Sequence, residues 1–128
     1  MLLEHIAFNV PEPAAAATWY VTHIEMRVVR SQTVSPFAHF LVDSTGRSVV
    51  EFYSNPGDPV PDLRAVHPLR HHIALATDDI ASDWARLIAA GAQAVDEIVT
   101  TPTGDRLVFL RDPWGLPIQL AQRVKPLL

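Results

Sequence analysis

Glu4-His5-Ile6-Ala7-Phe8 returns as His71-His72-Ile73-Ala74-Leu75, with the second module's histidine 67 residues after the first in a chain of 128. A period of half the chain points to duplication, and repeats decide a fold before any local propensity does. Each segment alternates small or polar residues with bulky apolar ones, the signature of a strand with one buried face. Each then runs into a helix start. In the first half this is Pro11-Glu12-Pro13, with proline tolerated in a first helical turn. In the second it is Asp78-Asp79, a good N-cap. Ile80, Trp84, Leu87 and Ile88 then follow at helical spacing and Gly91 marks the stop. The first helix, expected over residues 13–23, has a weaker pattern but is Ala-rich and offers Trp19 and Tyr20 to the core.

Three strand-like stretches follow each helix. They are expected near residues 25–33, 37–43 and 47–54, and again near 93–99, 105–111 and 116–122. The last two of each set are joined by Asp43-Ser44-Thr45-Gly46 and Asp112-Pro113-Trp114-Gly115, which predicts matching hairpins with a positive φ at each glycine. Such turns recur by chance, but the shared order and lengths favour duplication. The expected fold is therefore α+β, two tandem βαβββ modules with curved sheets around a cavity. It forms a single domain over residues 1–128, with module 1 at about 1–55 and module 2 at about 69–123. Residues 56–68, carrying Pro56, Pro59, Pro61 and Pro68, read as a stiff linker.

Composition narrows the function. Hydrophobic residues make up 48% and charged residues 19%, with a net charge of −4 and acidic and basic residues interspersed. That suits a packed globule and lacks the clustered basic patch of a nucleic-acid binder. No apolar run reaches the roughly 18 residues of a membrane span. The opening Met1-Leu2-Leu3-Glu4-His5 lacks the basic segment of a signal peptide, and the chain contains no cysteine. Both fit a cytoplasmic setting, and any metal must be held by nitrogen and oxygen.

Strand phase groups the candidate ligands. His5, Ala7 and Asn9 share one face, and His72, Ala74 and Ala76 share its counterpart. A face of histidine and alanine leaves room for a ligand. In the last strand of each module, Val49, Glu51 and Tyr53 face away from Val50 and Phe52; Pro117, Gln119 and Ala121 face away from Ile118 and Leu120. Glu51 and Gln119 thus occupy equivalent positions. A carboxylate among Val, Phe and Tyr is expensive to bury unpaired, and a metal, an arginine or a pocket water would each relieve that. A lone strand histidine is more often structural than a ligand, and His23, His39, His67 and His71 are read that way. The combination of four metal-capable residues at two repeated positions favours a metal site.

The segments His72 to Asp79 (HIALATDD), Asp112 to Gly115 (DPWG) and Ile118 to Leu120 (IQL) carry a family likeness. From Leu3 to about Arg123 the chain resembles the vicinal oxygen chelate superfamily: glyoxalase I, bleomycin-resistance proteins, fosfomycin-resistance enzymes and extradiol dioxygenases. It is most similar to glyoxalase I. The resemblance implies metal ligands at His5, Glu51, His72 and Gln119, and substrate positions at Asn9 and Asn55. It also implies a divalent cation, with Ni, Zn, Co, Fe or Mn suiting this donor set. The implied activity is a lyase or isomerase acting on vicinal oxygens through a metal-stabilised enediolate, with Glu51 as catalytic base. Alternatives are a non-haem Fe(II) or Mn(II) dioxygenase using His5, His72 and Glu51, and a non-catalytic resistance-type binder of small molecules. The family often forms homodimers. Two departures stand out. The last-strand ligand is commonly Glu and is here Gln119, an amide that takes no proton at neutral pH. An arginine that often follows the first histidine in glyoxalase I is here Asn9.

Overall fold

Alternation builds the first sheet as the sequence predicts, in a computed structural model that describes residues 1–127. The described chain divides into two compact units, Met1–Pro61 and a second from Asp62 onward. In the first unit, β1 (Ile6–Asn9), β2 (Arg27–Ser31), β3 (His39–Val42) and β4 (Val49–Tyr53) form a sheet in the order β1-β4-β3-β2. β1 runs parallel to β4 and the other pairs are antiparallel. Helix α1 (Pro13–Ile24) crosses from β1 to β2 and packs over β4, β3 and β2. Tyr20, Phe52, Leu41 and Val10 are fully buried there. Because α1 lies over β2 to β4, Ile6 on the outermost strand β1 stays 52% exposed although its phase matches the core.

The second unit repeats the plan. β5 (Ile73–Ala76), β8 (Arg106–Arg111) and β9 (Pro117–Gln122) form the sheet, with β5 parallel to β9 and α2 (Ile80–Ala89) against β9. Asp79 caps α2, its side chain accepting from the Ser82 N–H at 3.2 Å. Ile80, Leu87, Val108, Leu110, Ile118 and Leu120 form its core. Two mixed sheets with one helix each make this an α+β fold.

One strand differs from expectation. The stretch 93–99 is two short strands, β6 (Gln93–Ala94) and β7 (Val99–Thr100), both paired with β8. Between them the Asp96 carboxylate accepts the Phe109 N–H at 2.7 Å, where a regular ladder would place a backbone carbonyl. The extra residues bulge out, and the pairing resumes beyond them. The expected first strands also start late. His5 and His72 each stand just before their strands, at the edge rather than within the ladder.

The two hairpins match as predicted. Gly46 (φ 72°) and Gly115 (φ 98°) both lie in the left-handed half of backbone space. In each, the glycine N–H donates to the carbonyl of the turn's aspartate at 3.0 Å. A side chain at Gly115 would put its Cβ 2.5 Å from Arg64 Cγ. Buried Asp112 accepts from the N–H groups of Trp114 (2.9 Å) and Leu116 (2.8 Å). Residues 62–68 are tied to the second unit: Arg111 donates to the carbonyls of Leu63 (2.8 Å) and Val66 (2.7 Å), and Arg64 to that of Pro113 (2.8 Å).

Asp43 carries an acid-limb prediction. Burial raises its pKa, but hydrogen bonds from the Thr45 hydroxyl and the N–H groups of Ser48, Arg47 and Gly46 outweigh it and hold the carboxyl below its usual value. A group depressed in the folded state stabilises fully above its unfolded pKa, near 3.9, and loses that contribution as pH falls through the folded value. Asp43→Asn should therefore lower stability at pH 7 by about 1 kcal/mol, measured by urea unfolding. The gap to the native protein should narrow below about pH 4; an unchanged gap at pH 3 would show that the charge is not what stabilises the turn.

Candidate functional site

The lateral register of the first sheet assembles one half of the expected site. Ala7, Glu51 and Phe40 lie side by side across β1, β4 and β3. His5, one step before β1, turns its ring onto Phe40 edge to face, with centroids 5.4 Å apart. Its Nε2 lies 3.2 Å from Glu51 Oε2. The other ring nitrogen, Nδ1, is held by the carboxylate of Glu4. That hydrogen bond raises the His5 pKa above its usual value; partial burial opposes it, and the charges of Glu4 and Glu51 add to it. The Glu51 side chain is 15% exposed, so the carboxylate is sheltered without being sealed.

The second sheet repeats the arrangement with one substitution. Ala74, Gln119 and Phe109 lie side by side across β5, β9 and β8. The His72 ring meets Phe109 edge to face at 5.1 Å. Its Nδ1–H donates to the Pro68 carbonyl at 2.8 Å. This fixes the tautomer and leaves the Nε2 lone pair free, the state a metal-binding imidazole needs. The Gln119 amide takes no hydrogen bond among the described residues.

Phe40 and Phe109 are the residues that sequence reasoning missed. Each backs the histidine of its own module and pairs with its Glu51 or Gln119. Their signal was available: both occur in the middle strand of the repeat, 69 residues apart.

Donor spacing tests whether a metal fits. Two nitrogen or oxygen donors bound to one ion at about 2.0–2.2 Å sit roughly 3 Å apart when adjacent. The His5–Glu51 spacing of 3.2 Å meets that. Among the described residues no three His, Cys, Asp or Glu side chains form a group able to hold an ion. Glu4 cannot complete such a group, because it engages the opposite side of the His5 ring from Glu51.

The remaining candidates have local partners. Asn9 accepts from the Asn55 N–H at 3.4 Å and donates to the Asp58 carbonyl at 3.3 Å. Asn55 donates to the Asp58 carboxylate at 3.1 Å and accepts from the Gly57 N–H at 3.0 Å. Both amides thus hold the loop after β4, and Asn55 also stands on the wall of a groove. That groove, of about 450 Å³, is lined by Ala7, Ser35, Pro36, Glu51, Tyr53, Asn55 and Pro56. His39 donates to the Phe37 carbonyl, and His67 accepts from the Leu69 N–H.

The sequence profile of the Glyoxalase/Bleomycin resistance protein/Dioxygenase superfamily matches residues 2–120. The chain belongs to this superfamily. A curated relative, the uncharacterized protein YwbC of Bacillus subtilis (strain 168), is 28% identical over 126 residues, covering 94% of this chain and 97% of its own. A glyoxalase family protein from Bacillus cereus shares the fold with a TM-score of 0.82 at 20% identity, covering 98% of this chain and 95% of its own. A glyoxalase I mutant from Zea mays gives a TM-score of 0.75 at 22% identity. The match covers 97% of this superfamily member but 46% of the maize chain, so it spans about half that enzyme. No helix among the described residues is long and apolar enough to cross a membrane.

Proposed function

We propose that this protein is a divalent-metal-dependent lyase or isomerase acting on a small substrate with vicinal oxygens, with His5, Glu51, His72 and Gln119 as the ligand set. The observation that carries the reading is the spacing of His5 Nε2 and Glu51 Oε2, 3.2 Å on one sheet face, at positions the second module repeats with His72 and Gln119. A bound Ni, Zn, Co, Fe or Mn ion would polarise the substrate oxygens as a Lewis acid. The protein's own part is proton transfer. Glu51 is the one carboxylate in the set, so its Oε takes the proton from the hydroxyl-bearing carbon beside the substrate carbonyl and returns it to the carbonyl carbon, while the hydroxyl proton passes to the former carbonyl oxygen. Phe40 and Phe109 hold the imidazoles in place by edge contact. A homodimer in the cytoplasm belongs to the same proposal.

The test is turnover of 1,2-dicarbonyl and α-hydroxycarbonyl compounds, and of the methylglyoxal–glutathione adduct, with each metal in turn. Glu51→Gln should lower kcat by about 10²–10⁴ even when saturated with metal, with metal content measured alongside because the variant also replaces an anionic ligand by a neutral amide. No turnover of any compound with any metal would sink the enzymatic reading.

Gln119 supports a second reading. With an amide where the family commonly has Glu, the site loses a second base, and the chain could bind small molecules without turning them over. Ligand capture that survives His5→Ala would favour this.

A further inference from the structure

Phe37 breaks the internal repeat at a cost to the backbone. The loop between β2 and β3 turns through residues 34–37, and its counterpart between β7 and β8 turns through 101–104, at the same 67-residue offset as His5 and His72. In each turn the fourth residue's N–H donates to the first residue's carbonyl, at 2.7 Å to Val34 and 2.9 Å to Thr101. Both fourth residues lie in left-handed backbone space. The second unit has Gly104 there (φ 89°), which adopts it freely. The first has Phe37 (φ 55°), a bulky residue for which that conformation is costly. Flanking hydrogen bonds hold it: Ser54 N–H donates to the Pro36 carbonyl at 2.8 Å, and His39 Nδ1–H to the Phe37 carbonyl at 2.7 Å. Core burial does not offset the cost, because the side chain stays 44% exposed. Backbone strain of this kind concentrates at ligand clamps.

The start of α1 breaks the repeat in the same way. Glu12 stands 67 residues before Asp79. Asp79 caps α2 through the Ser82 N–H, whereas the Glu12 side chain caps nothing at the start of α1. Glu12 and Phe37 instead line one groove of about 480 Å³, with Pro13, Ala14, Ala15 and His39 among its other walls. That volume lies in the range of small-molecule sites. His39 is in register with Phe52, whose ring packs on Tyr20 of α1. The groove therefore opens on the helix side of the first sheet, away from the face of Glu51.

The lining selects by charge. Its one carboxylate is Glu12, and no lysine or arginine lines it. The Phe37 ring attracts cations to its face. His39 gives its Nδ1–H to Phe37, so in the neutral ring Nε2 is an acceptor. We propose that this groove binds an organic ammonium ion, at a site separate from His5, Glu51, His72 and Gln119. The charged head sits between the Glu12 carboxylate and the Phe37 ring, and the apolar part runs over Ala14 and Ala15.

The experiment is an NMR titration following the amides of Ala14, Ala15 and Phe37. The probes are phenethylamine, 2-phenylethanol as its uncharged analogue and phenylacetate as an anion. Phenethylamine should shift those amides at millimolar concentration, and the other two should bind at least about tenfold more weakly. Glu12→Gln should remove most of the preference for the amine over the alcohol. Phe37→Gly should weaken phenethylamine by about tenfold while urea unfolding shows a protein no less stable than the native one. The His5→Ala, His72→Ala double variant should bind the amine as the native protein does. Equal binding of the three probes, or no shift of these amides with the amine, would overturn the proposal. So would an unchanged amine affinity in Phe37→Gly, or a marked loss of stability in that variant, which would assign the ring to the fold. Loss of amine binding in the double histidine variant would place the amine at the other site and overturn it too.

Discussion

Zinc titrated into the His5→Ala, His72→Ala double variant is expected to bind more than about 100-fold more weakly than to the native protein. Loss of a residue that only hydrogen-bonds to a metal ligand typically costs 10–100-fold, and these side chains are proposed as direct ligands. The structure gives each a reason to serve. His5 presents Nε2 beside Glu51, and His72 has its tautomer fixed by the Pro68 carbonyl. His71 is the internal control. It neighbours His72 but is exposed, and its phase places it on the other face, so His71→Ala should bind zinc like the native protein. Calorimetry measures the affinity directly. Thermal unfolding gives a second readout, since a ligand at 100 times its Kd stabilises the folded state by about 2.7 kcal/mol. Zinc should raise the melting temperature of the native protein and leave that of the double variant in place. Equal affinities in the two proteins would remove His5 and His72 from the site.

Phe52→Ala should produce the largest loss of stability, about 3–5 kcal/mol. Phe52 is fully buried on β4 with its ring 4.7 Å from Tyr20 and 6.3 Å from Phe8, centroid to centroid. Its removal opens a cavity under α1 that the surrounding strands cannot close, because Leu41 and Val50 are fixed by the sheet. Against a total of about 5–15 kcal/mol for a typical domain, the variant would be close to unfolding. Urea denaturation measures the effect, and an unchanged m-value would show that the native state alone was weakened. The neighbouring Glu51→Gln provides contrast. It points to the opposite face and should change stability far less than it changes activity. A loss under 1 kcal/mol in Phe52→Ala would mean that the core of the first unit is not centred where the structure places it.

Much of this architecture was legible in the sequence because it depends on periods of two residues and on one repeat. Alternation along 49–53 and 117–122 separates Glu51 and Gln119 from Phe52 and Leu120 without reference to any partner strand. The glycines of the two hairpins sit at fixed distances from an aspartate, and the turn requires their backbone geometry whatever surrounds them. Helix α2 announces itself by spacing and by Asp79. The parts that stayed hidden depend on neighbours far away in the chain. Whether residues 93–99 form one strand or two is decided by Asp96 reaching the Phe109 N–H across β8. Ile6 reads as core, yet α1 covers other strands and leaves it exposed.

The candidate site divides along the same line. Sequence phase alone put His5, Glu51, His72 and Gln119 at equivalent positions of two modules, since a strand's side chains take their faces from its own backbone. Only the tertiary structure brought Phe40 against His5, placed Glu4 on the far side of the same ring and tied His72 to Pro68. Only it brought Ser35 and Pro36, on the loop between β2 and β3, together with Ala7, Glu51 and Tyr53 to line one groove. Those relations arise from strand pairing and loop return, which bring together residues that no local pattern connects.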